Sequence, residues 1–138
     1  MSITIKYVGM RFFDREQEFE KLREIEKISH EVAQFTVITG RRRIGKTEMV
    51  KKYYENKTML YFFVARKAEA DLCNIYVDEI RTKLGIPMLD SKGMSFAAVF
   101  KFIMELSQTQ HINLFIDEFQ DFYRVNSSIY SDMQNIWD

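Results

Sequence analysis

A glycine-containing loop between an apolar segment and a helical segment constrains the fold of this chain more than any other feature. The loop, GRRRIGKT, runs from Gly40 to Thr47, directly after FTVIT and before EMVKKYYE. Its glycines and clustered charges cannot form a core. The short β-branched run before it suits a fully buried strand of a parallel sheet. The segment from Lys46 to Tyr54 is predicted to be helical.

The rest of the chain alternates between strand and helix in the same way. Apolar runs predict two further buried strands, at Met59–Ala65 and at Ile112–Ile116, and no other convincing core strand. Helical periodicity predicts four more helices, at Asp14–Ile28, Ala68–Leu84, Ser95–Leu106 and Ser128–Trp137. Strands separated by helices imply right-handed crossovers and a parallel sheet. The predicted class is therefore α/β, with helices and sheet in layers.

Composition sets the outer limits on function. With 138 residues, the chain is long enough for one domain. Lys and Arg together number 20, as do Asp and Glu, so no global field favours DNA or an anionic membrane surface. The single cysteine, Cys73, excludes an internal disulfide and is typical of a reducing compartment. No segment resembles a signal peptide or reaches the roughly 18 apolar residues that cross a bilayer, so we expect a cytoplasmic protein.

The loop fits the phosphate-binding pattern G-x-x-x-x-G-K-T at every defining position. Gly40 and Gly45 allow the backbone N–H groups to approach an anion that a Cβ would keep away. The following helix directs its N-terminal N–H groups at the same anion. Lys46 is expected to reach the β- and γ-phosphates, and Thr47 to ligate Mg²⁺. A basic surface turn is the alternative, but it would leave the flanking strand and helix as coincidences.

The variable positions of the loop are less informative. Arg41, Arg42 and Arg43 could contact the nucleotide, face a partner or point to solvent, and the sequence favours the last two over a catalytic role. Ile44 and Glu48 complete the set of loop residues predicted to contact the nucleotide.

The third apolar strand ends at two acidic residues, Asp117 and Glu118. Ligands of open parallel sheets bind beyond the carboxyl ends of the strands, so this edge and the glycine loop should face one crevice. Asp117 is then expected to hold Mg²⁺ through its water shell, and Glu118 to orient or deprotonate the water that attacks the γ-phosphate. Such a pair is common by itself but specific after a glycine loop, and it favours hydrolysis over binding alone. Gln120 and Asp121 are close enough to assist, although such residues are more often surface groups.

Four segments occur in a characteristic order: FFDREQEFEKL, VITGRRRIGKTEMVKKY, YFFVARKAEADLC and LFIDEFQDFY. Together they resemble the archaeal-type ATPase domain family, which belongs to the signal-transduction ATPases with numerous domains, among the AAA-related P-loop ATPases. The resemblance implies that Phe12, Phe13 and Arg15 lie near the adenine or the ribose. It implies ATP and Mg²⁺ as ligands. The family usually has glycine where this chain has Asp14.

The resemblance also implies parts that this sequence lacks. In this class the strand that follows the acidic pair inserts between the loop strand and the acidic strand, and a helical lid and arginine contacts come later. We therefore expect a three-layer P-loop NTPase core with a parallel sheet, truncated after the acidic strand. Residues 1–138 would form a single partial domain without its C-terminal strands, lid and effector domain. The loop strand would lack its central neighbour unless another copy or a partner protein supplied one.

Two functions are open at this point. The first is an ATPase domain whose Mg-ATP cycle drives a conformational or assembly switch. The second is a non-catalytic nucleotide-binding module that docks on a partner. No N-K-x-D element for reading guanine is present in the sequence, so adenine is favoured.

Overall fold

A computed structural model describes five segments of the chain. The backbone is described for residues 2–8, 15–31, 34–40, 46–86 and 94–137. Side chains are described for residues 19–31, 47–86 and 94–137.

Every helix and strand predicted from the sequence is present in the structure, with bounds that differ by at most two residues. The strands are β1 Ser2–Val8, β2 Gln34–Gly40, β3 Met59–Phe63 and β4 Asn113–Asp117. The helices are α1 Arg15–Ser29, α2 Lys46–Tyr53, α3 Glu69–Leu84, α4 Phe96–Leu106, α5 Phe122–Val125 and α6 Ile129–Trp137. A single 3-10 turn, Phe119–Asp121, joins β4 to α5. Three elements were not predicted: β1, this turn and α5.

Strand β1 corrects the expected topology. The four strands form one parallel sheet in the order β2-β1-β4-β3. β1 pairs with β2 from Ser2↔Gln34 to Val8↔Gly40 and with β4 from Ser2↔Asn113 to Ile5↔Ile116. The expectation that the loop strand lacks a central neighbour is therefore wrong, because the N-terminal segment occupies that position. The expectation that further strands follow residue 138 stays a prediction.

Alternate residues of β4 enter different layers. Leu114 and Ile116 lie in a core cluster with buried residues of α3, α4 and α6. Phe115 lies in a second cluster with Leu22 of α1 and Met49 of α2. Because successive side chains of a strand point to opposite faces, helices cover both faces of the sheet. Complete burial of such an apolar side chain contributes about 1.5–3 kcal/mol, so β4 is anchored from both sides.

Local sequence signals fix the ends of two helices. Helix α3 stops at Gly85, which has the left-handed backbone conformation (φ 66°) and donates its N–H to the Arg81 carbonyl at 3.0 Å. A glycine tolerates this conformation because it lacks a Cβ. Helix α4 starts after Ser95, whose hydroxyl accepts the Ala98 N–H at 3.2 Å. In the part of the chain that the structure describes, no helix combines the length and apolarity needed to cross a bilayer.

Candidate functional site

The start of α2 and the end of β4 meet at one point. The Thr47 hydroxyl donates a hydrogen bond to Oδ2 of Asp117 at 2.9 Å, although the two residues lie 70 positions apart. The topology explains the contact, because β2 and β4 are parallel and both run toward the same edge of the sheet. The first turn of α2 therefore lies next to the end of β4. Two side chains that the sequence assigned to one crevice are neighbours.

The carboxylate of Asp117 is buried and held from several directions. Only 3% of the residue is exposed. Oδ1 accepts the backbone N–H of Glu118 at 3.0 Å, and Oδ2 accepts the Tyr61 hydroxyl at 2.7 Å in addition to that of Thr47. A buried carboxylate is costly unless donors compensate for lost water. These three donors supply that compensation and fix the orientation of both oxygens.

The Thr47–Asp117 pair has the chemistry that a magnesium site requires. Mg²⁺ prefers oxygen ligands and is usually bound by one or two carboxylates together with waters and substrate phosphates. A hydroxyl that donates its proton to a carboxylate still has lone pairs for a cation. Among the side chains that the structure describes, no cluster of three or more His, Cys, Asp or Glu residues could hold a metal. The chemistry of the hydroxyl–carboxylate pair fits a Mg²⁺ ion that also takes phosphates and waters as ligands.

Glu118 has an unusual backbone conformation. Its φ of 58° and ψ of 42° place it in the left-handed region, and no other non-glycine residue in the described segments has a positive φ. For a residue with a Cβ this conformation costs roughly 1–2 kcal/mol. Strain of this kind persists where the surrounding structure enforces it and is concentrated at functional sites.

The side chain of Glu118 is half-buried beside a cavity. Gln120 donates from Nε2 to Oε2 of Glu118 at 2.6 Å. The cavity has a volume of about 370 Å³, and Glu118 lines it together with Phe63, Arg66 and Asp121. A cavity of this size has room for water and for part of a ligand. Glu118 is therefore positioned by its own turn and faces a space outside the protein core.

The structure adds Tyr61 to the site, which the sequence did not indicate, and gives Gln120 a specific contact. Burial and the hydrogen bond to Asp117 raise the pKa of Tyr61 well above its ordinary value, so its hydroxyl is a donor at neutral pH. The signal was a single hydroxyl within the apolar run MLYFF, but only the register shows that Tyr61 pairs with Phe115, two residues before Asp117. Gln120 was noted as able to assist, and the structure gives it a direct contact with Glu118.

The other predicted site residues are described less completely. Gly40 ends β2 and pairs with Val8, and Glu48 is exposed in the first turn of α2. Arg15 and Lys46 begin α1 and α2, where the structure describes only their backbone. The remaining predicted residues lie outside the described segments: Phe12, Phe13, Arg41, Arg42, Arg43, Ile44 and Gly45. Asp121 accepts a hydrogen bond from Arg124 at 2.6 Å, and its side chain is only 17% exposed and lines the cavity beside Glu118.

Comparison with known proteins identifies the class of this domain. Residues 12–138 match the model of a family described as an ATPase domain predominantly from Archaea, so the chain belongs to that family and the resemblance seen in the sequence is confirmed. The match begins after β1. Family membership supports an ATP-binding role.

Two relatives from one archaeon are similar to parts of this chain. An uncharacterized protein of Methanocaldococcus jannaschii is 29% identical over 127 residues, which cover 92% of this chain but only 26% of the relative. The chain thus spans about a quarter of the length of that protein. An uncharacterized ATP-binding protein of the same organism is 41% identical over 51 residues, which cover 37% of this chain and 83% of the relative. No solved structure matches.

Proposed function

We propose that this chain is the P-loop NTPase core of an AAA-related ATPase of the signal-transduction type, and that it binds and hydrolyses Mg-ATP. The observation that carries the proposal is the 2.9 Å hydrogen bond between the Thr47 hydroxyl and Asp117. It joins the last residue of the glycine-loop motif to the first of the two acids. The phosphate-binding pattern and the acidic pair are separate sequence signals, and this contact makes them one site.

The phosphates bind to the loop between β2 and α2. In the proposed complex the backbone N–H groups from Gly40 to Thr47 surround the β-phosphate, and the N-terminal end of α2 favours the negative charge. Lys46 neutralises charge on the β- and γ-phosphates. Arg41, Arg42, Arg43 and Ile44 supply loop backbone, and Glu48 lies in the first turn behind it. Phe12 and Arg15 contact the adenine or the ribose.

Thr47 and Asp117 hold the metal. Magnesium, when bound, neutralises the charge that develops on the phosphate oxygens. The Thr47 hydroxyl, which donates its proton to Asp117, would be a ligand of the ion, and the carboxylate of Asp117 would hold it through waters. The buried position of Asp117 keeps this carboxylate from exchanging its protein donors for bulk water.

Glu118 activates the attacking water. Its carboxylate accepts the proton of a water that approaches the γ-phosphate from the cavity lined by Phe63 and Arg66. Gln120 holds one carboxylate oxygen, so the other is directed at the water. The energy released by hydrolysis drives a conformational or assembly change in the longer protein.

Calorimetry and phosphate release test the proposal on the full chain. The wild type should bind Mg-ATP and release phosphate. It should bind ATP more tightly in Mg²⁺ than in EDTA, and Thr47→Ala should lose most of this difference in ATP affinity. Glu118→Gln should keep Mg-ATP binding while turnover falls by about 10²–10⁴-fold, the usual contribution of a general base. Glu105→Gln is the matched control, because Glu105 is exposed on α4.

Three results would contradict parts of the proposal. A folded wild-type chain that gives no heat with Mg-ATP would remove it altogether. Binding without turnover in the wild type would favour the non-catalytic module that docks on a partner. Unchanged turnover in Glu118→Gln would exclude Glu118 as the base.

A further inference from the structure

Tyr61 connects three elements around the buried carboxylate. Its hydroxyl donates to Oδ2 of Asp117 at 2.7 Å, and Oδ2 is also the oxygen that accepts the Thr47 hydroxyl. Tyr61 belongs to β3, Thr47 to α2 and Asp117 to β4. One carboxylate oxygen therefore ties the edge strand and the helix after the glycine loop to the strand that ends in the acidic pair.

The tyrosine is itself held in place. Its backbone N–H donates to Oε2 of Glu79 at 2.7 Å. β3 is an edge strand of the described sheet, where the N–H groups that point away from β4 have no strand partner. The ammonium group of Lys51 lies 4.1 Å from the centre of the Tyr61 ring, and the Phe115 ring lies 5.4 Å away on the neighbouring strand. The backbone of Tyr61 is thus held by Glu79, and its ring is held by contacts with Lys51 and Phe115.

The two helix residues near Tyr61 lie on the same face of α2. Thr47 and Lys51 are four positions apart, which places them one turn above each other on a helix. Thr47 contacts the carboxylate, and Lys51 covers the ring that holds this carboxylate. A shift of the first turn of α2 would therefore disturb the Tyr61–Asp117 contact as well.

We propose that Tyr61 is a positioning residue for the magnesium site, acting through Asp117; this inference rests on the proposed function. The Glu118 N–H bonds to Oδ1, so without Tyr61 the described side-chain hydrogen bond to Oδ2 would be the one from Thr47, and Thr47 would also be a ligand of the cation. The Tyr61 hydroxyl gives Oδ2 a donor that is not itself a metal ligand. Groups that orient metal ligands in this way typically change metal affinity by 10–100-fold when they are removed.

A magnesium titration of Tyr61→Phe tests the inference. The substitution keeps the ring and the backbone bond to Glu79 and removes only the hydroxyl. Turnover is measured against Mg²⁺ at saturating ATP, and binding of ATP is measured in EDTA. We expect the Mg²⁺ concentration for half-maximal turnover to rise about tenfold or more, with ATP affinity in EDTA unchanged.

Tyr76→Phe is the matched control. The Tyr76 hydroxyl also donates a hydrogen bond to β3, in this case to the Phe63 carbonyl at 2.9 Å. Only 1% of Tyr76 is exposed. Loss of the hydroxyl should lower the melting temperature, because the Phe63 carbonyl loses this donor. It should leave the dependence on Mg²⁺ unchanged, since the Tyr76 hydroxyl contacts the Phe63 carbonyl and its ring contacts Phe62 and Phe96 rather than the acidic pair.

The possible outcomes distinguish failure of the inference about Tyr61 from failure of the proposed ATPase function. If the wild type neither binds nor hydrolyses Mg-ATP, the proposed function fails and the inference fails with it. If the wild type is active and Tyr61→Phe has the wild-type Mg²⁺ dependence, the inference alone is overturned. Equal weakening in Tyr61→Phe and Tyr76→Phe would also overturn it, because a general loosening of β3 would explain both.

Discussion

The end of β4 and the turn that follows it place two adjacent carboxylates in opposite surroundings. Asp117 closes the strand, is buried, and receives hydrogen bonds from β3, from α2 and from the backbone of the next residue. Glu118 opens the turn in a left-handed conformation and receives a bond from Gln120, two residues further on. One carboxylate is fixed by distant parts of the chain, and the other by its own turn beside a cavity.

This difference shows how neighbouring residues of one chemical type can take different tasks. A strand residue points to one face of the sheet, and its successor in a strand would point to the other. The left-handed conformation at Glu118 ends that alternation at the edge of the sheet. A metal ligand benefits from immobility and a base benefits from access to water, so the two environments match the two proposed roles.

The largest expected effect concerns the chemistry at Glu118. Glu118→Gln should lower turnover by about 10²–10⁴-fold with Mg-ATP affinity retained. If this variant lost binding and turnover together, Glu118 would serve to hold the ligand, as Asp117 does. The proposed difference in role between the two carboxylates would then be wrong.

Asp117→Asn should show the opposite pattern. The amide keeps the shape of the side chain but removes the charge that attracts the ion and its waters, and its NH₂ group cannot accept a hydrogen bond. We expect the apparent affinity for Mg²⁺ to fall by about 10–100-fold, with ATP affinity in EDTA retained. Calorimetry with and without Mg²⁺ measures this. If a modest Mg²⁺ concentration restored full turnover in this variant, that result would contradict a role of Asp117 in placing the ion.

The backbone at Glu118 can be compared with Gly85, which has a nearly equal φ of 66°. In the part of the chain that the structure describes, no atom beyond Gly85 and its two chain neighbours lies within 4 Å of a Cβ built on Gly85, so Gly85→Ala tests backbone strain without a steric clash. It should lower the free energy of unfolding by about 1–2 kcal/mol. Glu118→Gly should raise it by about 1 kcal/mol, because glycine relieves the strain but gains entropy in the unfolded chain.

Urea unfolding of both variants, with turnover of Glu118→Gly measured alongside, checks the pair. The glycine variant should be more stable and inactive. If Glu118→Gly is destabilised instead, then the contacts of the glutamate outweigh its backbone strain, and the turn is less strained than its φ implies.

The smallest effect lies at the other end of β4. The pKa of His111 is lowered by burial and by the neighbouring His30, whose ring stacks at 3.8 Å, while Glu26 acts in the opposite direction. Because the folded state disfavours the protonated ring, stability is retained above about pH 6.5 and falls as the pH drops from there towards the lowered folded value. The loss should be below about 1 kcal/mol, given solvent screening.

Melting temperatures between pH 5 and 8 measure this slope, and His111→Gln should flatten it. A slope that persists in this variant would assign the pH dependence to groups other than His111.

Local structure was predictable because its causes are local. The apolar runs of β2, β3 and β4 predicted buried parallel strands, and helical periodicity predicted α3 and α4. β1 was missed because its sequence, SITIKYV, alternates polar and apolar residues. That pattern is typical of a half-buried strand, whereas this strand lies inside a parallel sheet.

The functional site was also predictable only in part. The sequence predicts the glycine loop and the acidic pair, because both are recognised by residue types at fixed spacing, and the parallel sheet explains why Thr47 and Asp117 meet. Tyr61 reaches Asp117 from another strand, and its role depends on register. The nucleotide roles of Lys46, Glu118 and the adenine-side residues stay predictions.

The sequence by itself determined the strands and helices, the loop motif and the family, because these depend on residue type and short-range periodicity. Only the tertiary structure decided that the N-terminal strand lies between β2 and β4 and that Tyr61 holds Asp117. The physical reason is that strand pairing and side-chain hydrogen bonds join residues far apart in the chain. Their geometry is fixed by how the whole sheet packs, and no short stretch of sequence contains it.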